Sequence, residues 1–340
     1  MDAPVLQTVS LGAQRQTVDP FLFCVHHDDA YPASDGSLAP ATSLHGRQLG
    51  SDFSYLDGWS MYHGRRVPGV PSHPHRGFET ITYVRRGLVD HSDSLGAAAR
   101  YGRGDTQWLT AGEGIVHAEM FPLLDAERPN PLELFQIWLN LPAADKMVDA
   151  HFTMGWDAET PRLNDVGVEV TVVAGRLGDL VPPAPPPSSW ASRPEADVAV
   201  WHVRLDAGVE WTLPAAVGSE TVRTLYLFEG SALTIGGHTV GARTGALVRC
   251  DRDVVLTGGP DGSEVLMLQG RPIGEPVARY GPFVMNDRAG IEQAFADYQR
   301  TGFGGWPWPA DDPTHGAAPR RFAQHADGRV EDAPATRTIS

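Results

Sequence analysis

The feature that most constrains this chain is its rhythm. Short, apolar, β-rich runs recur along two long stretches, and each run closes on a turn signal. In the first stretch they fall at residues 79–84, 88–91, 107–110, 114–121 and 132–141, with a further run at 168–175. In the second they fall at 198–205, 222–229, 232–235, 246–249, 253–256 and 264–268. The 37 Gly and 28 Pro residues suit many short elements joined by tight turns. Regularly spaced short strands predict a sandwich or barrel, and two such stretches predict two of them. The expected fold is therefore all-β, with two tandem β-barrels that repeat an architecture without repeating a sequence. One short C-terminal helix is expected after Asp287, which can cap a segment whose Ile291, Ala294, Phe295 and Tyr298 follow helical spacing.

Composition places the divisions. Residues 26–69 are rich in Asp, Ser, Gly, Pro and His and read as a long excursion, of the kind that forms lids or binding loops or stays disordered. The Pro-rich segment 181–189 is expected to be extended and semi-rigid, which puts a boundary near it. The expected organisation is a first barrel over 1–180 carrying the loop at about 26–69. A second barrel with the helix follows over 190–305, and then a disordered polar tail over 311–340.

A formal charge of −15 argues against direct nucleic-acid binding through phosphates and against an anionic membrane surface. No apolar run approaches the roughly 18 residues of a membrane span, and residues 1–8 lack the pattern of a secretory signal. Cys24 and Cys250 show no C-x-x-C spacing, so two reduced thiols in a cytoplasmic protein are expected.

The chemistry concentrates in two short strings. His73 and His75 stand at i and i+2 before a β-rich run, so on a strand they share one face. Pro74 between them cannot donate to a ladder, which predicts an edge or a bulge there. His117 and Glu119 repeat the device in Gly114-Ile115-Val116-His117-Ala118-Glu119. That run is apolar on both faces, and a buried carboxylate needs a cation or donors. Three imidazoles and one carboxylate form a plausible shell for a divalent transition metal. Glu79 is in phase with His73 and His75, and spacing alone does not choose between Glu79 and Glu119 as the anionic ligand. His26, His27, His45, His63 and His91 are expected at the surface. The second half has only His202 and His238, without a His-x-His, so its barrel is expected to hold no metal.

At these residues the chain resembles the pirin family. The resemblance rests on His73-Pro74-His75-Arg76-Gly77-Phe78-Glu79-Thr80 and on residues 104–119, which match the family's two cupin motifs. Further support comes from Asp19-Pro20-Phe21-Leu22, residues 135–141, Glu275-Pro276-Val277 and residues 280–286. The chain departs from the family in the length of the 23–69 connection, in Cys24-Val25-His26-His27 and in the tail beyond Asp311. The resemblance implies a bicupin, two cupin-type barrels with iron in the first, held by His73, His75, His117 and Glu119. It favours Glu119 over Glu79 as the ligand and leaves Glu79, Gln136 and Trp138 as candidates for the pocket wall.

Two functions then compete. In the first, the protein is a quercetin 2,3-dioxygenase-like oxidoreductase. Fe(2+) chelates a small aromatic, flavonol-type substrate for reaction with dioxygen, and Glu119 doubles as ligand and proton acceptor. In the second, it is an iron-dependent, redox-responsive regulator of a transcription factor or metabolic enzyme. The oxygenase ranks first. The donor set also accepts zinc, copper, nickel or manganese.

Overall fold

In the computed structural model, residues 3–335 are described. Their regular secondary structure is mostly β-strand, with one α-helix at Arg288–Thr301. Its cap is the expected one: Asp287 accepts the Gly290 amide at 2.7 Å, satisfying a helix-terminal N–H that has no partner within the helix. No helix is long and apolar enough to cross a membrane among the described residues.

The chain forms two compact units, each assembled from separated segments. One comprises, among the described residues, 3–25, 137–142 and 159–274. Its larger sheet has seven strands, in the order Val5–Ser10, Thr244–Val248, Val222–Glu229, Ser263–Gly270, Ala199–Leu205, Val168–Ala174 and Arg162–Asp165. A second sheet of four strands accompanies it, and between them lie Val170, Val203, Leu225, Leu233, Ile235, Val265 and Met267, all buried. This interior is aliphatic because its strands alternate apolar and polar residues. His202 binds Glu264 at 2.8 Å, and His238 is exposed. Among the described residues no metal-ligand cluster occurs in this unit.

The other unit comprises, among the described residues, 26–136, 143–158 and 275–335. One of its sheets runs Val330–Asp332, Phe322–Gln324, Ala98–Gly102, Leu88–Asp93, Ile115–Met120 and Gly69–His75. In a second sheet His151–Gly155, Thr106–Thr110, Phe78–Arg86 and Leu132–Asn140 are neighbours.

Three expectations about organisation need correction. The division is not a single cut near 181–189: that Pro-rich segment lies inside the first unit described, where Trp190 donates to the Arg271 carbonyl at 3.0 Å. The excursion after Asp29 is packed. Tyr31, Trp59, Met61 and Tyr62 are buried with the barrel core, and Arg47 lies 3.3 Å over the Trp59 ring while pairing with buried Asp52 at 2.9 Å. Nor is the tail unstructured. Phe322–Gln324 pairs with Ala98–Gly102, and Ala323 is fully buried; residues 336–340 lie outside the described residues. Strand addition at a sheet edge uses backbone hydrogen bonds, so it leaves almost no trace in side-chain periodicity. Cys24 and Cys250 are free thiols, both buried.

The excursion contains a titrating group of its own. Asp29 accepts the Tyr62 hydroxyl at 2.8 Å and the Ser60 amide at 2.9 Å, yet burial outweighs these bonds and pushes its carboxyl up to about 7. The native state therefore holds a proton that the unfolded chain releases near the ordinary aspartate value. This contribution to stability is complete below that value and is lost as pH rises through about 7. Asp29→Asn is expected to flatten the fall in stability between pH 4.5 and 7.5, read as urea midpoints of both proteins at the two pH values. Equal slopes would contradict it.

Candidate metal centre

The His-x-His string lies on the Gly69–His75 strand, at the free edge of its sheet, with a register shift between Val70 and His73. An edge position is where Pro74 is tolerated, because its missing N–H faces no partner strand. The antiparallel register sets His73 directly opposite His117 and His75 opposite Ile115. Side chains directly opposite on one face approach closely, and three imidazoles converge. Ring centroids are 4.7 Å apart for His73–His75, 4.5 Å for His73–His117 and 4.9 Å for His75–His117. One ligand nitrogen from each lies within 4.8 Å of the other two.

The donor chemistry suits a cation. Both ring nitrogens of His117 are buried without a hydrogen-bond partner, a costly arrangement for polar atoms that a metal ion would resolve. The Pro71 carbonyl is 2.8 Å from His73 Nδ1. A proton on that nitrogen leaves Nε2 as the free lone pair, an orientation common among metal-binding histidines. Burial lowers the pKa of all three imidazoles, and for His75 and His117 the neighbouring histidines lower it further. Each is thus neutral and able to ligate near pH 7.

Glu119 sits beside this trio, its Oε2 3.9 Å from His117 Nε2. Thr82 Oγ1 donates to its Oε1 at 3.2 Å, and Gln136 Nε2 donates to its Oε2 at 2.7 Å. Burial, followed by the charge of Glu119, holds the Tyr101 phenol well above its ordinary pKa. Gln136 thus lies beside Glu119. Trp138, two residues on and so on the same face of its strand, packs against Phe23 with the rings tilted and their centroids 4.9 Å apart. Glu79 does not join the imidazoles. The turn at Arg76-Gly77 resets the alternation, and within Phe78–Arg86 it lies three residues from Thr82, on the opposite face, where Thr110 donates to it at 2.6 Å.

His91, expected at the surface, is fully buried. Its ring lies 5.5 Å from that of His117, and its Nε2 is 3.2 Å from Asp93 Oδ2. The signal was present: Val89, His91 and Asp93 alternate across one strand in the way His73 and His75 do. His26 and His27 are half-buried, whereas His45 and His63 are exposed as expected.

The C-terminal segment locks the motif. Arg76 donates to the Glu113 carbonyl at 2.5 Å and to Asp297 on the helix at 2.8 Å. Gly77, at φ 82°, lets the Val284 carbonyl pass where a Cβ would sit 2.0 Å from its oxygen. At Gly114 a Cβ would lie 2.5 Å from the Phe303 ring. The glycines of both motifs thus serve docking of residues 282–303.

Two cupin-type barrels, one of them carrying a histidine cluster suited to a metal, define a bicupin. Residues 3–139 match the Pirin family model, and residues 200–304 match that of the Pirin C-terminal cupin domain. The chain belongs to the pirin family. A pirin-like protein of Caulobacter vibrioides is 37% identical over 281 residues, which cover 80% of this chain and 95% of that one. A Pseudomonas aeruginosa protein provisionally named a quercetin 2,3-dioxygenase is 36% identical over 275 residues, 79% of this chain and 93% of that one. The solved structure of an Acinetobacter baumannii quercetin 2,3-dioxygenase superposes with a TM-score of 0.70 at 25% identity, covering 88% of this chain and 98% of that one.

Proposed function

We propose that this chain holds a divalent iron ion through His73, His75 and His117 with Glu119, and opens flavonol-type substrates with dioxygen. The observation that carries the reading is the converging imidazole trio, in which both buried His117 nitrogens lack a hydrogen-bond partner. The quercetin dioxygenase names of the Pseudomonas and Acinetobacter relatives support the substrate class. When bound, the metal supplies a Lewis acid for adjacent hydroxyl and carbonyl oxygens and a redox centre for dioxygen.

The protein's own contribution centres on Glu119. Its carboxylate lies next to where a substrate hydroxyl would meet the metal, so it accepts that proton. Gln136 and Thr82 hold the carboxylate in place by donating to its two oxygens. Because the imidazoles are neutral, a bound divalent ion would keep a net positive charge beside the single carboxylate, which would favour the deprotonated, electron-rich form of the substrate.

Metal analysis of protein purified without added metal, followed by oxygen uptake with quercetin, tests the reading. The expected result is bound iron and flavonol-dependent oxygen consumption. Glu119→Gln is expected to retain the metal and lose about 100-fold in rate, the lower range for removing a general base. Absence of uptake by the iron-loaded protein, while a known quercetinase reacts in the same assay, would overturn it.

A further inference from the structure

The unit that carries the imidazoles also has a cavity that they do not line, with a volume of about 430 Å³. Small-molecule pockets span roughly 300–1,000 Å³. Leu88, Leu123 and Leu132, all buried, form its floor, and the exposed Arg86, Arg103 and Arg128 stand at its rim. An apolar floor under a cationic rim is unusual on a chain whose formal charge is −15.

Most of this positive charge is matched. Arg86 pairs with Glu133 at 2.9 Å and with Asp28 at 3.0 Å, Arg85 also binds Glu133, and Arg128 pairs with Asp125 at 2.8 Å. Arg103 has no ion pair among the described residues, so it is the surplus cation. Its backbone is the second observation. Arg103 sits at φ 56° between Gly102 and Gly104, in a left-handed conformation that glycine takes freely and other residues avoid. A long cationic side chain occupies a position where glycine would relax the backbone, and strain of this kind concentrates at ligand-holding positions.

We propose that this cavity binds a small organic anion, with its carboxylate or phosphate on the Arg103 guanidinium and its apolar body on the leucine floor. A guanidinium offers forked donors that match either group. The site is distinct from the metal centre and does not depend on the dioxygenase reading.

Calorimetric titration of the full chain with naphthoate, naphthyl phosphate and inorganic phosphate tests the proposal. The two aromatic anions are expected to bind, and whichever binds more tightly assigns the anionic group. Arg103→Gly removes the cation while relieving the left-handed strain, so its thermal midpoint should be equal or higher. Its affinity for the aromatic anions should fall about tenfold or more, the effect of losing one charge-assisted hydrogen bond. Arg288→Ala, which removes an equally exposed cation on the helix, should leave affinity unchanged. The proposal is overturned if neither aromatic anion binds, if inorganic phosphate binds as tightly as naphthyl phosphate, or if Arg103→Gly binds as well as the native chain.

Discussion

His117→Leu is expected to abolish metal binding and yet make the metal-free protein more stable. The two effects have one cause. In the native chain both ring nitrogens of His117 are buried without a hydrogen-bond partner, and each unsatisfied buried polar group costs about 1–3 kcal/mol. Leucine has a similar volume and no polar atom, so the metal-free barrel should gain on the order of 1–3 kcal/mol. The metal-bound state loses one of three converging nitrogens. Its affinity should fall by more than the roughly 10–100-fold typical of removing an outer partner of a metal ligand. Urea unfolding in chelator and in saturating metal separates the two effects. The native protein should gain stability on adding metal, as linkage requires of any ligand that binds only the folded state. The variant should show no such gain but should unfold at higher urea in chelator. A variant that is less stable in chelator would mean that His117 is satisfied within the barrel and is not held ready for an ion.

The second large effect concerns the tail. The family match ends at residue 304, yet the chain beyond it is tied to the histidine-bearing sheet at many points. Trp308 donates to the Asp93 carbonyl at 2.8 Å, and the His315 amide donates to Asp90 Oδ2 at 2.8 Å. The Ser72 amide, next to His73, donates to the Asp311 carbonyl at 2.8 Å. Arg100 and Asp90 form a fully buried pair joined by two 2.6 Å bonds, and the remaining reach of Arg100 is met by the Ala318 carbonyl. Arg321 binds buried Asp105 at 2.6 Å. Ending the chain at residue 305 removes these partners and bares the edge of Ala98–Gly102. Leaving a buried charge unpaired costs about 3–5 kcal/mol, and an open edge invites intermolecular pairing. The shortened protein should therefore unfold at much lower urea and self-associate in light scattering. Arg321→Ala should shift stability in the same direction by less. A shortened chain that is equally stable and monodisperse would show that the tail only rests on the barrel.

The histidine pairs and the helix show how far local reading reaches. His73 and His75, like His117 and Glu119, share a face because strand alternation is a property of the backbone, so their common orientation could be read before any fold was known. The Asp287 cap was legible for the same reason, since capping is satisfied within a few residues. Glu79 marks the limit of that reasoning. A single turn at Gly77 reset the phase, and the residue that matched on paper went to the opposite face.

Everything that depended on a distant partner was settled by packing. His91 joined the buried cluster because its strand pairs with the His117 strand, setting His91 opposite Glu119, and no local pattern states which strands will be neighbours. The N-terminal strand Val5–Ser10 went to Thr244–Val248, and the C-terminal segment returned to the barrel of the histidine cluster. Side-chain alternation encodes which face of a strand is buried. Which edge a strand joins is decided by backbone hydrogen bonds that almost any residue can make, so that choice belongs to the tertiary structure.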